Sequence, residues 1–173
     1  LHLNTGCENW TPASWKQNWK DQWNLMKDFY PSINNALTHR THCIAWSDWV
    51  NQAKQQAELG VRLDVNYYYF PGTWVQNRSG MFTGSGMPMR FADIDGTMVD
   101  CYQVTTQLTD ESGQAYPQTI NELLDKATGA EGYYGVFCAN MHTDIFPAVA
   151  SNLIVSSALA RNIPVVSAKQ MLD

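Results

Sequence analysis

The chain carries four histidines, and their placement gives it most of its chemical reach. Neutral imidazole is the commonest metal ligand and the commonest acid–base group near neutral pH. Three of them, His2, His42 and His142, fall at the ends of segments that are otherwise apolar. His142 follows Val136-Phe137-Cys138-Ala139 within Asn140-Met141-His142-Thr143-Asp144, so polar side chains gather just past an apolar run. His2 stands beside Asn4, and His42 beside Arg40. His39 reads as a polar-loop residue with a structural role. A carboxylate next to such an imidazole would fix its tautomer. No H-x-x-x-H or H-E-x-x-H pair occurs, so spacing alone does not establish a metal site.

Carboxylates offer a second chemistry. A glycosidase needs two of them facing each other across a sugar bond. Asp110 and Glu111, just before Ser112-Gly113, could contribute to such a pair. Asp93 and Asp95 are read instead as turn residues, because Asp-Gly between two β-prone runs is a hairpin signal. Asp64 and Asn66 lie within a strand-like run. The four cysteines, at 7, 43, 101 and 138, form no C-x-x-C pair, which argues against a zinc knuckle or thioredoxin-type site and leaves the disulfide state open.

Elements that would position these groups alternate along the chain. Thr11 and Pro12 open an amphipathic helix over 12–29, with Trp15, Trp19, Trp23 and Met26 on one stripe and Trp10 as a staple before the cap. A buried strand is expected over 41–46, a helix over 48–59 closed by Gly60, and a strand from Val61 to Phe70. Residues 71–86 have loop composition. A hairpin of 87–92 and 97–104 follows, then a helix over 117–128, a strand over 132–141, a helix over 147–161 and a short strand over 164–167. Strands alternating with helices predict an α/β fold with parallel strands, in which function collects at the strands' C-terminal ends. No Gly-rich phosphate loop follows a strand, so a nucleotide site is disfavoured.

Composition bounds the partners. With 173 residues, 45% of them apolar, the chain can bury a core as one domain over 1–173. Its formal net charge is −5 and it has no run of Lys or Arg, so nucleic acid is not an expected partner. No apolar stretch approaches the ~20 residues of a membrane span. Seven Trp, eight Tyr and six Phe would supply stacking surfaces for sugars, although core packing accounts for most of them.

The order of these motifs resembles the polysaccharide deacetylase family, the NodB-homology carbohydrate esterases. Leu1-His2-Leu3-Asn4-Thr5 is similar to the family's His-bearing strand end, although Gly6 stands where a second His is usual. Arg40-Thr41-His42 matches the family's groove-lining Arg, without its prolines. Gly60-Val61-Arg62-Leu63-Asp64 followed by Trp74 is similar to the motif whose Asp orients the catalytic groups. Asn140-Met141-His142 is similar to the strand end that carries the general acid, and 158–172 looks like the closing helix and strand.

The resemblance implies an irregular (β/α) barrel with a β-hairpin insertion. The chain would be its C-terminal part, with a catalytic Asp pair expected upstream of Leu1. It implies a secreted, bacterial, metal-dependent hydrolase that removes acetyl groups from a polysaccharide. His142, Asp64 and Arg40 would be catalytic. His2, Asn4 and His42 would hold a divalent ion, Zn²⁺, and Trp74, Tyr67, Tyr69 and Asp144 would contact the carbohydrate. The alternatives are a glycan-binding or structural domain of the same descent without catalysis, and a carboxylate-based glycoside hydrolase.

Overall fold

The computed structural model describes residues 1–6, 10–42, 50–66, 69–70, 81–82, 86–111, 113–132 and 135–173. The fold is mixed α/β, and the chain divides into two compact units. The first comprises Leu1–Asn66, Pro88–Val104 and Ala168–Asp173; the second comprises Tyr67–Met87 and Thr105–Ser167.

In the first unit, β1 (His2–Leu3), β2 (Thr38–Thr41), β3 (Leu63–Asp64) and a later strand run parallel, with α1 (Pro12–Phe29) and α2 (Asn51–Glu58) between them. Helix α1 begins where its sequence dictates. Thr11 caps it, its hydroxyl accepting from the Ser14 amide at 3.2 Å while the Ser14 hydroxyl accepts from the Thr11 amide at 2.9 Å. Trp10 packs on Trp15 with ring centroids 5.9 Å apart, and Trp15 and Trp19 are buried. The second strand lies earlier than the sequence suggests. It is already formed over 38–41, and residues 43–46 of the expected 41–46 lie outside the described ones.

Residues 69–70 and 81–82 form the antiparallel pair β4 (Tyr69–Phe70) and β5 (Met81–Phe82) of the second unit. The expected hairpin is present as β6 (Met89–Ala92) and β7 (Met98–Gln103). Its turn closes through Asp93 N to Thr97 O at 2.8 Å and Thr97 N to Asp95 Oδ1 at 2.9 Å, with Gly96 at φ +86°. The hairpin is part of the main sheet. β7 pairs parallel with β3, so the sheet order is β1-β2-β3-β7-β6. The reason is burial: Val99, Cys101 and Gln103 alternate inward along β7 and must be covered.

The two faces of this sheet differ in chemistry. Register pairs Leu3 with Thr41 and His39 with Asp64, and all four are buried. Register also pairs His2 with Arg40, one residue out of phase and so on the opposite face. His39 is therefore a strand residue inside the core and not a loop residue. Its ring lies 5.5 Å from that of Trp15 and 5.2 Å from that of Trp19. Gln56 donates to its Nδ1 at 2.7 Å, which leaves the ring proton on Nε2, where no hydrogen-bond partner lies among the described residues. Asp64 Oδ1 is 3.5 Å from Nδ1, and Asp64 also accepts from Gln52 Nε2 and from the Asn66 amide. Burial disfavours the charged ring and outweighs the attraction of Asp64, so His39 has a lowered pKa and is neutral near pH 7.

The second unit also contains β8 (Thr106–Thr109), α3 (Gln118–Thr128), β9 (Cys138–Asn140) and α4 (Val149–Leu159). β8 and β9 pair in parallel, and Leu108 packs with Ile120, Leu124, Ile154 and Ala158. Arg161 ties the end of α4 to α3, with Nε and Nη2 on the two oxygens of Asp125 at 2.6 and 3.0 Å and Nη1 on Asn121 Oδ1. Gly86, at φ +78°, lies close to the segment before β9: its carbonyl accepts from the Val136 amide at 2.7 Å, and a Cβ there would meet the Val136 carbonyl oxygen at 2.6 Å. Residues 164–167 form no strand. They lead to α5 (Ala168–Leu172), and their Val165 and Val166 are exposed. No helix among the described residues is long and apolar enough to cross a membrane.

The lowered pKa of His39 sets a sign for acid stability. An unfolded chain takes up a proton at this position near pH ~6.5, and the folded chain does not. The contribution of His39 is therefore complete above pH ~6.5 and declines as pH falls below it, by at most about 1.4 kcal/mol per pH unit. His39→Gln is expected to flatten urea-unfolding stability against pH between about 6.5 and 5. Identical slopes for the two proteins would refute a neutral buried imidazole.

Candidate functional site

Two groupings bring together residues that the sequence singles out, one in each unit. In the second unit, β8 and β9 end side by side, with Thr109 opposite Asn140. The residues that follow are Asp110 and, two beyond Asn140, His142. Both therefore emerge at the C-terminal ends of neighbouring parallel strands, where α/β folds place their chemistry.

One carboxylate holds His142 twice. Asp110 Oδ2 accepts from the His142 backbone amide at 2.7 Å, and Oδ1 lies 2.7 Å from ring Nδ1. Burial raises the Asp110 carboxyl, but the hydrogen bonds from the His142 ring and backbone outweigh it, and the net shift is downward. Asp110 is thus ionised and accepts, so Nδ1 carries a hydrogen and the ring is fixed in orientation. Nε2 points the other way, with Glu111 Oε1 3.6 Å from it.

The loop after β8 is held by its own side chains. Gln114 Oε1 accepts from the Thr109 amide at 3.1 Å, and Gln114 Nε2 donates to the Gln107 carbonyl at 2.8 Å. The Tyr116 hydroxyl lies 3.1 Å from the Thr109 carbonyl and 2.8 Å from Gln114 Oε1. Burial pushes that phenol up to about 12, so it stays protonated and donates. Asp110, Gln114, Tyr116 and His142 form the polar side of a pocket of about 260 Å³. Ile145 and residues 147–151 line the rest.

In the first unit, the rings of His2 and His42 lie 5.3 Å apart, tilted by 40°. Parallel pairing of β1 with β2 produces this: His2 is opposite Arg40, and His42 follows the end of β2. Asn4 is engaged elsewhere. Its Oδ1 accepts from the Gly6 amide at 2.7 Å, and its backbone exchanges two hydrogen bonds with the Gln22 side chain of α1. Two imidazoles are half of a four-coordinate zinc site. Among the described residues, no group of three or more His, Cys, Asp or Glu side chains is placed to hold a metal ion. The described donors are therefore an incomplete set for Zn²⁺.

Asp64 is wholly buried against His39, Gln52 and Asn66, so direct contact with a substrate is closed to it. Arg40 is also buried. Asp144 is exposed, two residues past His142. Tyr69 lies in β4, its backbone paired with Phe82. Tyr67 and Trp74 lie outside the described residues. His142 and Asp144 belong to the second unit, whereas His2, Asn4, Arg40, His42 and Asp64 belong to the first.

Sequence reasoning did not find Asp110 as the partner of His142, because it did not find β8. The signal was present: Thr106-Gln107-Leu108-Thr109 is β-prone, and Leu108 is fully buried. No family model matches this chain, and no curated protein or solved structure matches it either.

The clasp has a measurable strength. Hydrogen bonds to a charged group contribute about 1.5–3 kcal/mol. Asp110→Asn is expected to cost about 1–3 kcal/mol in urea unfolding at pH 7. Because the Asp110 pKa is lowered in the folded protein, its contribution is complete above the unfolded value of ~3.9 and is lost as pH falls through the folded value. The gap between wild type and variant should therefore close toward pH 3. A gap independent of pH would show that Asp110 is not held as the ionised acceptor.

Proposed function

We propose that the pocket of the second unit is a hydrolase site in which His142, oriented by Asp110, is the general acid, and that its substrate is an acetylated glycan. The supporting observation is the double hold of Asp110 on the ring and backbone of His142, at 2.7 Å each. Such a carboxylate fixes the tautomer and stabilises the imidazolium that forms when the ring takes up a proton. The polysaccharide deacetylase resemblance supplies the substrate class. On this reading the chain is a divergent member of that family, acting on a glycan outside the cytoplasm.

The reaction is hydrolysis of an N- or O-acetyl group. Water adds to the acetyl carbon, the C–N or C–O bond to the sugar breaks, and acetate leaves. Nε2 of His142 gives its proton to the departing amine or alkoxide, a step contributing ~10²–10⁴-fold in rate. A carboxylate takes the proton of the attacking water, and Glu111, whose Oε1 lies 3.6 Å from Nε2, is the proposed base. The Tyr116 hydroxyl and the Gln114 side chain hold the loop that carries both acids. His2 and His42 of the first unit would be two of the ligands of a divalent ion such as Zn²⁺, which would supply Lewis-acid chemistry; the proton transfer proposed at His142 runs through no metal.

A carboxylate-based glycosidase fits less well. It needs two carboxyl groups facing the sugar, and of Asp110 and Glu111 the first has both oxygens committed to His142. Acetate release from acetylated chitin oligosaccharides or acetylxylan tests the proposal. His142→Ala is expected to lower kcat by about 10²–10⁴-fold with KM little changed. Full activity in that variant would remove the assigned role. A wild-type protein that binds these glycans without releasing acetate would be a binding module instead.

A further inference from the structure

His142 has to acquire the proton that it gives away. Asp110 holds a hydrogen on Nδ1, so Nε2 of the neutral ring carries a lone pair. A nucleophile that loses its proton as it attacks would load Nε2 in the same step, which is how a hydroxyl and an imidazole work together in acyl transfer. The described lining of the pocket contains two hydroxyl groups, those of Tyr116 and Ser151. Tyr116 is engaged with the Thr109 carbonyl and Gln114, and burial keeps it protonated. Ser151 is half-buried, and among the described residues no hydrogen bond engages its side chain.

Ser151 belongs to the first turn of α4 and lines the cavity that holds the Asp110–His142 pair. Its place in the helix adds a second element. No side chain caps α4, which leaves the first-turn amides of Ala150 and Ser151, both residues of the pocket wall, to meet negative charge developing on an acyl oxygen. Without a hydroxyl and an Asp–His pair in the same cavity, these amides would be an ordinary helix start.

We infer that Ser151 is the nucleophile of this site, with His142 as its base and Asp110 as the group that positions the ring. This rests on the reading of the pocket as a hydrolase site and divides that reaction into two halves. In the first, Ser151 Oγ bonds to the acetyl carbon and its proton passes to Nε2 of His142. The C–N or C–O bond to the sugar breaks, and Nε2 gives that proton to the departing amine or alkoxide, leaving acetyl-Ser151. In the second, water adds to the acetyl carbon and its proton passes by way of Glu111, 3.6 Å from Nε2, to the imidazole. The bond from Ser151 Oγ to the acetyl carbon breaks, Oγ takes the proton back, and acetic acid leaves and ionises.

Two measurements on the full chain test this. Ser151→Ala is expected to lower kcat for acetate release from acetylated chitin oligosaccharides by about 10³-fold or more. Diisopropyl fluorophosphate, which traps activated serines, should add one diisopropylphosphoryl group to the wild type, mapped to Ser151 by peptide mass spectrometry. The label should be absent from His142→Ala, because the hydroxyl then has no base. Wild-type turnover by Ser151→Ala, with His142→Ala inactive, overturns the nucleophile and leaves direct attack by water in place. Loss of turnover in Ser151→Ala without a label on Ser151 of the wild type overturns it as well, since the residue would then serve only the fold of α4. Full turnover by His142→Ala would sink the hydrolase reading of that residue itself, and a wild type that neither releases acetate nor takes the label would sink both.

Discussion

The functional reading depends on one carboxylate satisfying two donors of a single residue. Asp110 binds both the ring and the backbone amide of His142, so neither the position of the chain nor the rotation of the ring is left loose. A histidine held by its ring alone could swing with its loop; one held by its backbone alone could rotate about its side-chain bonds. The charge on Asp110 is kept by the same bonds that it makes. Parallel pairing of β8 with β9 brings residues 32 positions apart in sequence into this contact. The Gln114 and Tyr116 hydrogen bonds keep the β8 end from fraying.

The first unit shows a different use of similar groups. His39, Asp64, Gln52, Gln56, Thr41 and Asn66 form a buried polar network beneath Trp15 and Trp19. A buried carboxylate is tolerated only where hydrogen bonds replace its water. Here Gln52 and the Asn66 amide supply them. Such a network fixes the registers of β2, β3 and α2 more sharply than apolar contacts would. Its histidine is neutral and enclosed, whereas His142 reaches a pocket.

This contrast marks how far the sequence could be read. Helices α1 and α3 and the 93–96 turn were legible, because caps, staple, periodicity and Asp-Gly chemistry are local. The approach of His2 to His42 followed from strand-end polar residues on parallel strands, and His142 from a polar cluster after an apolar run. His39 was misplaced because a polar residue before an apolar run does not say which face is covered, and only the His39–Asp64 register puts both inside. The role of Asp110 was hidden for a further reason: a short Thr-rich strand has weak periodicity, and its partner lies some thirty residues away.

Gly86 extends the chain of constraint to a residue with no chemistry of its own. The Val136 main chain lies where a methyl group at 86 would have to go, and Val136 leads directly into β9 and so to His142. Backbone cannot step aside as a flexible side chain can. Even the smallest branch at this position would push on the strand that aims the imidazole, so the aim of the His142 ring is set in part by an emptiness fifty-six residues upstream.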